Sequence, residues 1–335
     1  MSEKFDDYKI QEGCTVQPQT KEELVDIIKD TCKKKGWNCD LNFIDTSKIT
    51  DMSRLFANIP TCYGGYGFRK FNCDISKWNV SNVKNMDSMF SGAKKFNQPL
   101  NDWNTSNVES MNYMFFDAIS FNQPIENWVV SKVTTMHYMF GYAKNFNQPL
   151  DKWNVSKVKS MKGMFAQAKN FNQPIENWDV SNVTNMSFMF SGAKNFNQPL
   201  NNWDVSNVTK MKAMFSDAKS FNQSLAKWNV SNVEIMSHMF EEAKNFNQPL
   251  NNWNTSKVTS MSRMFKKAIS FNQPLDEWDT KNVSKILDIT DMFKDAENFD
   301  NKIPSLKKFE FKRFDDKCFL LGLSHKYAEK HQHDF

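Results

Sequence analysis

The chain has 335 residues, of which 40% are hydrophobic and 24% charged, and its formal net charge is +5. This composition is sufficient for a sizeable apolar core and argues against disorder along the whole chain. The small charge and the scattered lysines do not indicate a nucleic-acid-binding protein. No run approaches the roughly 18 apolar residues of a transmembrane helix, so we expect no membrane span.

Residues 1–43 are expected to form an N-terminal arm followed by a capping helix. The sequence T-K-E-E at residues 20–23 is a capping-box pattern, which marks the start of a helix. The next apolar residues share one helix face: Leu24, Ile27, Ile28 and Cys32. Such a helix would cover the first coil of a repeat array, as the terminal caps of solenoids do.

Residues 44–303 are dominated by a repeat with a period of 25 residues. Phe recurs at this step at 71, 96, 121, 146, 171, 196, 221, 246 and 271, and Trp at 78, 103, 128, 153, 178, 203, 228, 253 and 278. The motif Met-x-x-Met-Phe follows each of the first eight of these Trp residues. A fixed period of this size is typical of a solenoid, in which each unit covers the apolar face of its neighbours. With its degenerate ends, the array comprises about ten units.

Within one unit, the apolar spacing predicts a strand followed by a helix. Residues 200–205 have the pattern L-x-x-L-x-L, with Trp203 at the central position, which is typical of the strand of a leucine-rich repeat. The residues Val208, Met211, Met214, Phe215, Ala218 and Phe221 then follow at helical spacing. We therefore expect an α/β repeat solenoid, leucine-rich-repeat-like, with one short strand and one short helix per unit and helical caps at the ends.

The Trp, Met and Phe columns are predicted to be core, because identical spacing in successive units demands identical packing environments. The Asn-Gln pairs beside them, such as Asn197 and Gln198, are predicted to form side-chain ladders between coils. Residues 304–335 are expected to form a C-terminal cap. They are more apolar than a cap requires, so docking of a partner or of a second copy is the alternative.

The repeated sequence F-N-Q-P-L-N-N-W-D-V-S-N-V-T, followed by Met-x-x-Met-Phe, resembles the BspA-type leucine-rich-repeat family, a branch first catalogued in mycoplasma lipoproteins and surface proteins. The resemblance covers residues 41–303. It implies a leucine-rich-repeat solenoid that binds proteins or mediates adhesion, and it implies no catalytic residue. Such arrays also occur in large DNA viruses.

No motif in the sequence points to catalysis, to a cofactor or to a metal. His137 and His238 occupy variable outward positions without a second ligand at metal spacing. The glycines at 64, 65 and 67 lack the Lys-Ser/Thr of a phosphate-binding loop. The six cysteines form no C-x-x-C pair, and we interpret them as reduced thiols. We therefore expect a protein that is not an enzyme.

The outward positions beside Trp are rich in carboxylates and form a candidate partner-binding face: Asp102, Glu126, Asp151, Glu176, Asp179, Asp204, Asp276, Glu277 and Asp279. The predicted helix side holds lysines instead: Lys94, Lys95, Lys144, Lys169, Lys194, Lys219, Lys244, Lys266 and Lys267. One hypothesis is an acidic strand face that binds a protein, opposite a basic helix face. The alternative is that both are ordinary solvated faces.

These observations lead us to expect a non-enzymatic protein-protein interaction or scaffold protein, with a component of a virion or other large assembly as one form of it. The first ten residues contain no basic and apolar leader pattern, so we expect an intracellular or virion-associated location. The alternative is a cell-surface adhesin exported by an unconventional route. Self-association through the termini is a further expectation.

Overall fold

A computed structural model describes residues 15–58, 68–304, 306 and 314–331, which form a solenoid of stacked coils. Its helices are α1 (Lys21–Lys35), a short 3-10 helix (Ile286–Asp288), α2 (Phe314–Leu321) and α3 (His325–His331). Part of the predicted N-terminal arm, the glycine-rich segment and most of residues 305–313 lie outside the described residues. No helix within the described part of the chain is long and apolar enough to cross a membrane.

The regular units between α1 and the 3-10 helix contain turns where the sequence predicted a helix, so that prediction is wrong. In the unit that contains Met211, the N–H of Met214 donates to the carbonyl of Met211 (3.2 Å) and the N–H of Ala218 to that of Phe215 (3.0 Å). These are bonds between residues three apart, as in β-turns. The alternate N–H groups donate to the next coil instead, as Phe215 does to Met239 (2.9 Å).

Two residues in each of these turn segments have a positive φ, which a regular helix does not allow. In the same unit they are Ala213 (52°) and Asp217 (55°). A positive φ at the third residue is the mark of a type II turn. The apolar spacing of the unit is therefore produced by consecutive turns, which also return every third or fourth side chain to the core.

The predicted strand at the L-x-x-W-x-V pattern is also absent from the regular units described. Residues 201 and 202 form a turn, with the Trp203 N–H donating to the Leu200 carbonyl (3.1 Å). Isolated parallel bridges instead join the residues that directly precede the first Met of each unit, for example Asn185 to Lys210 and Lys210 to Ile235. We call the stretch around each bridge, such as residues 210–217, the ladder segment.

The core consists of three columns of parallel aromatic rings. In the middle of the array, Phe165 lies 5.7 Å from Phe140 and 5.8 Å from Phe190, measured between ring centroids. The next column runs through Phe171 and Phe196 at 6.0 Å. In the Trp column, four neighbouring pairs have ring centroids 6.2–6.4 Å apart. All these rings are buried, as the sequence predicted.

The ring spacing increases with distance from the ladder segment. Parallel strands that exchange backbone hydrogen bonds are about 4.8 Å apart. The rings of the Phe column within the ladder segments are 5.4–5.8 Å apart. The Trp column, which lies on the part of each coil away from the ladder segment, has the widest spacing. Successive coils are thus closest at the ladder, so the solenoid bends with the ladder segments on its inner, concave side.

Side-chain ladders satisfy the backbone where coils do not pair directly. The Oδ1 of Asn172 accepts from the N–H of Asn197 (2.9 Å) and from the amide of Gln198 (3.1 Å). The bond from the Asn N–H to the preceding Asn side chain recurs along the array, and the Gln bond accompanies it from Gln148 onwards. The indole N–H of Trp203 donates to the carbonyl of Ile175 (3.0 Å) in the preceding coil, as the other repeat Trp residues do. The predicted Asn-Gln ladder is confirmed.

Helices cover both ends of the array. α1 begins after Thr20, whose side chain accepts from the Glu23 N–H, and it buries Leu24, Ile28 and Cys32 in the continuous core. At the other end, the N–H of Phe293 donates to the carbonyl of Leu321 in α2 (2.8 Å).

Candidate interaction surface

The nine carboxylates proposed for partner binding lie along one surface beside the buried Trp column. Six are exposed, namely Asp102, Asp151, Asp179, Asp204, Asp276 and Glu277, and three are half-buried, namely Glu126, Glu176 and Asp279. The structure thus places them together as an outward row on the part of each coil away from the ladder segment.

Three of these carboxylates stabilise local turns by accepting backbone hydrogen bonds. The Oδ1 of Asp179 accepts from the N–H of Ser181 (3.1 Å), and Asp204 and Asp279 make the equivalent bond two residues ahead. The bonds from Ser206 hold the pKa of Asp204 below its usual value. Asparagine makes the same turn in other units, for example at residues 154, 229 and 254. These aspartates are therefore explained by turn formation, without a partner.

Two other carboxylates are neutralised by lysines of neighbouring coils. Glu126 lies 3.3 Å from Lys152, and Asp276 lies 3.4 Å from Lys302. Five of the nine lysines predicted to form a basic face are paired as well: Lys94 with Asp117 (3.2 Å), Lys194 and Lys219 with Asp217 (3.7 and 3.6 Å), Lys266 with Glu241 (3.6 Å) and Lys267 with Glu242 (3.2 Å). Because these pairs are mostly exposed, they contribute little stability, but they reduce the charge of both faces.

The outward residues of the ladder segments vary from unit to unit, and some of them form an aromatic cluster that the sequence pattern did not reveal. Tyr113, Phe116, Tyr138 and Tyr142 form an aromatic cluster across two neighbouring coils. Tyr113 stacks on Tyr138 with 5.5 Å between ring centroids, and Phe116 meets Tyr142 edge-on at 5.3 Å. Tyr113 is 39% and Tyr142 42% exposed.

Two glycines allow the rings of the aromatic cluster to lie directly on the backbone. A Cβ at Gly163 would be only 2.4 Å from the Tyr138 ring, and a Cβ at Gly141 would be 3.0 Å from the Phe116 ring. Burial and the neighbouring Tyr113 raise the pKa of Tyr138. The Tyr138 ring is therefore seated on the next coil and supports the more exposed rings beside it.

The tyrosines of the aromatic cluster occupy backbone positions that disfavour large side chains. Their φ angles are 57° at Tyr113, 49° at Tyr138 and 60° at Tyr142. Glycine occupies the equivalent positions in other units, at Gly163 and Gly192. A bulky residue in this region costs on the order of 1 kcal/mol or more. Non-glycine residues with a positive φ occupy the same position in other units, such as Phe188 and His238, so this strain belongs to the turns of the fold and is not particular to the tyrosines.

A row of polar side chains runs beside the aromatic cluster. Asp87 accepts from the Ser110 hydroxyl (2.6 Å), the Oδ1 of Asn112 accepts from the His137 N–H (2.9 Å), and His137 Nε2 lies 2.7 Å from the Ser160 hydroxyl. Burial and the nearby Lys162 lower the pKa of His137, while Asp87 opposes this shift. Aromatic and hydrogen-bonding groups therefore lie side by side on the concave face.

Three cysteines that share no sequence motif are brought together at the N-terminal end. The Sγ of Cys73 lies 3.6 Å from that of Cys32 and 3.4 Å from that of Cys39. Burial raises the pKa of the Cys39 thiol to about 11, and the hydrogen bond with Cys32 and burial raise that of Cys73. Cys73 occupies the place of the repeat glutamine, such as Gln98, and so belongs to the repeat array.

Comparison with known proteins gives a family but no individual relative. Neither the curated proteins nor the solved structures contain a significant match to the chain. The family model described as "Mycoplasma protein of unknown function, DUF285" matches residues 26–152, 143–236 and 223–319. These overlapping matches run from α1 through the array into α2. The chain therefore belongs to this mycoplasma-type family of tandem repeats.

Proposed function

We propose that the protein is a non-enzymatic protein-interaction scaffold and that the aromatic cluster is the centre of its binding surface. The observation that carries this proposal is the exposure of Tyr113 and Tyr142 in an array whose Phe and Trp columns are buried. Tyrosine is enriched at protein interfaces because its ring provides apolar area and its hydroxyl remains able to hydrogen-bond.

The position of the cluster supports a protein segment as the ligand. The concave face of a solenoid is an extended binding surface, and a peptide along it would meet the rings and the polar row at once. The charges that border the cluster are mixed, because Asp87 and Lys162 both lie near His137, and Asp117 is paired with Lys94. The described residues therefore form no positive patch there for a phosphate backbone.

A BspA-type, leucine-rich-repeat relationship agrees with binding through a repeat surface, and assembly into a virion or other large particle is one setting for such a scaffold. The row of nine carboxylates remains a second candidate surface. Its members outside turns and ion pairs, such as Asp102 and Asp151, are the residues on which that hypothesis now depends.

The binding surface can be located by comparing three forms of the full chain as bait. We expect the Tyr113→Ser/Tyr142→Ser variant to lose, by about tenfold or more, a protein that the wild type recovers, since interface tyrosines contribute about 2 kcal/mol or more when central. The Asp102→Lys/Asp151→Lys variant should retain it. Quantitative mass spectrometry of the recovered proteins measures both. Loss with the lysine variant alone would move the site to the carboxylate row, and equal recovery by all three baits would exclude both surfaces.

A second pair of variants tests the aromatic cluster without altering an aromatic residue. Gly163→Ala places a Cβ where the Tyr138 ring lies, whereas Gly192→Ala, at a similar φ, displaces only the Gln167 side chain. Both should lower the free energy of unfolding by on the order of 1 kcal/mol because of the positive φ. Only Gly163→Ala should weaken binding of the recovered protein. Equal loss of binding in both variants would point to general destabilisation.

The location of the protein separates an internal scaffold from an adhesin. Surface biotinylation of intact source cells should leave an internal scaffold unlabelled, with a known surface protein as the positive control. Labelling of the protein on intact cells would favour the adhesin.

A further inference from the structure

Three thiols from separate parts of the chain converge where α1 meets the first coils. Cys32 lies in the last turn of α1, Cys39 follows that helix, and Cys73 belongs to the first regular unit. Cys32 and Cys73 are buried, at 1% and 0% exposure, and Cys39 is half-buried. All three sulfur atoms lie within 4.8 Å of one another.

The backbone holds this arrangement in place independently of the sulfur atoms. The N–H of Asp74 donates to the carbonyl of Cys39 (2.9 Å), and the N–H of Asn72 donates to the carbonyl of Trp37 (2.8 Å). A parallel bridge joins Asp40 to Asp74 directly beyond them. The segments that carry Cys39 and Cys73 are therefore paired on both sides of the thiols, and the site is preorganised.

The sulfur separations agree with coordination of one metal ion. Zn–S bonds of about 2.3 Å at tetrahedral angles place two sulfur atoms about 3.8 Å apart. The distances of 3.6 Å from Cys73 to Cys32 and 3.4 Å to Cys39 are close to this value. A disulfide would require about 2.0 Å. Thiolate donors favour soft ions such as Zn²⁺ and Cu⁺ over Mg²⁺ or Ca²⁺.

We propose that Cys32, Cys39 and Cys73 form a three-thiolate site for a soft d¹⁰ metal ion, Zn²⁺ or Cu⁺, which ties α1 to the repeat array. The ion forms one bond to each sulfur, and each thiol releases its proton to solvent as it binds. Within the described residues no further His, Cys, Asp or Glu side chain joins the group. Three thiolates suffice for Cu⁺, whereas Zn²⁺ takes a fourth ligand.

Metal content of the full-length protein tests the proposal. The protein is purified under reducing conditions, stripped with a chelator, and loaded with Zn²⁺ or, anaerobically, with Cu⁺. We expect wild type to bind about one ion per chain of at least one of the two metals. In both Cys39→Ser and Cys73→Ala, the affinity for that metal should fall by about tenfold. Cys318→Ala, at a buried cysteine in α2, is the matched control and should bind as wild type does.

Three further measurements distinguish loss of the metal site from misfolding of a variant. Cys39 is half-buried, so its serine variant should retain the circular dichroism spectrum of wild type. Addition of Co²⁺ should give a thiolate charge-transfer band in wild type and in Cys318→Ala but not in Cys39→Ser. The melting temperature of wild type should rise on loading and that of Cys39→Ser should not. The proposal is overturned if wild type binds neither ion, or if folded Cys39→Ser binds as much metal as wild type.

Discussion

Replacing Phe165 with alanine is expected to lower the free energy of unfolding by about 3–5 kcal/mol. The ring is fully buried and stacks on Phe171 at 3.9 Å, on Phe140 at 5.7 Å and on Phe190 at 5.8 Å. Alanine would leave a cavity in the continuous aromatic column. The rings of adjacent coils cannot close it, because their spacing is fixed by the backbone ladder.

The Phe165→Ala variant should also divide the array. In a solenoid each unit is stabilised by its neighbours, so a central defect weakens the coupling between the two sides. Denaturant unfolding followed by circular dichroism should show a lower midpoint, and hydrogen exchange should show lower protection around the defect. Phe319→Ala is the control, since Phe319 is 89% exposed and its loss should change stability by less than about 0.5 kcal/mol. An unchanged midpoint for Phe165→Ala would contradict the packing role given to the column.

Replacing Asn172 with alanine is expected to cost about 1–3 kcal/mol, because a partly buried backbone donor loses its acceptor. The Asn172 Oδ1 accepts from the Asn197 N–H and from the Gln198 amide, at 2.9 and 3.1 Å. The Asn172 N–H itself would keep its bond to Asn147. The defect therefore falls on one junction between coils, which hydrogen exchange at Asn197 can measure directly.

Asn172→Asp is the matched control for the ladder. Aspartate retains the accepting oxygen and the shape of asparagine, and Asp300 already occupies the equivalent position in the last coil, where its N–H donates to Asn272 (2.9 Å). We expect the aspartate variant to lose less stability than the alanine variant at neutral pH. Equal losses in both would show that the accepting oxygen is not the stabilising group.

The core could be predicted from the sequence because the period leaves little freedom. Each Phe, Trp and Met column must be buried in every unit or in none, and all are buried. The local structure could not be predicted in the same way. A helix returns a side chain to one face every three or four residues, and a chain of four-residue turns does so as well. The spacing of Val208, Met211 and Met214 therefore fits both structures.

The sequence contained one signal that could have separated these alternatives. Glycine occurs at residues 92, 163 and 192, within the segments predicted to be helical, and each of these glycines has a positive φ. Glycine disfavours a helix interior but suits the third position of a type II turn. The strand was misplaced because L-x-x-W-x-V matches a leucine-rich-repeat pattern, although here the Trp side chain, rather than the backbone, bonds to the preceding coil.

The candidate sites depended on contacts that no periodic pattern encodes. The carboxylates were predicted to bind a partner because they form an outward column. In the structure, Asp179 and Asp204 stabilise turns by accepting backbone hydrogen bonds. The aromatic cluster arises where Tyr113 and Tyr138 fall at the same position of successive units. Reading the variable positions of the Met-x-x-Met-Phe stretch column by column would have revealed these two tyrosines, but only the fold shows that they are on the concave face.

Because the step between coils is constant, the number of units sets the distance between any two features of the array. The Phe171 column advances by about 6.0 Å for each 25-residue unit, whatever the outward residues are. Gain or loss of one unit between the aromatic cluster and α2 would therefore move these two features apart or together by one such step and leave both intact. Recombination between near-identical repeats can thus change the distance between two attachment points in fixed increments, without any new side chain.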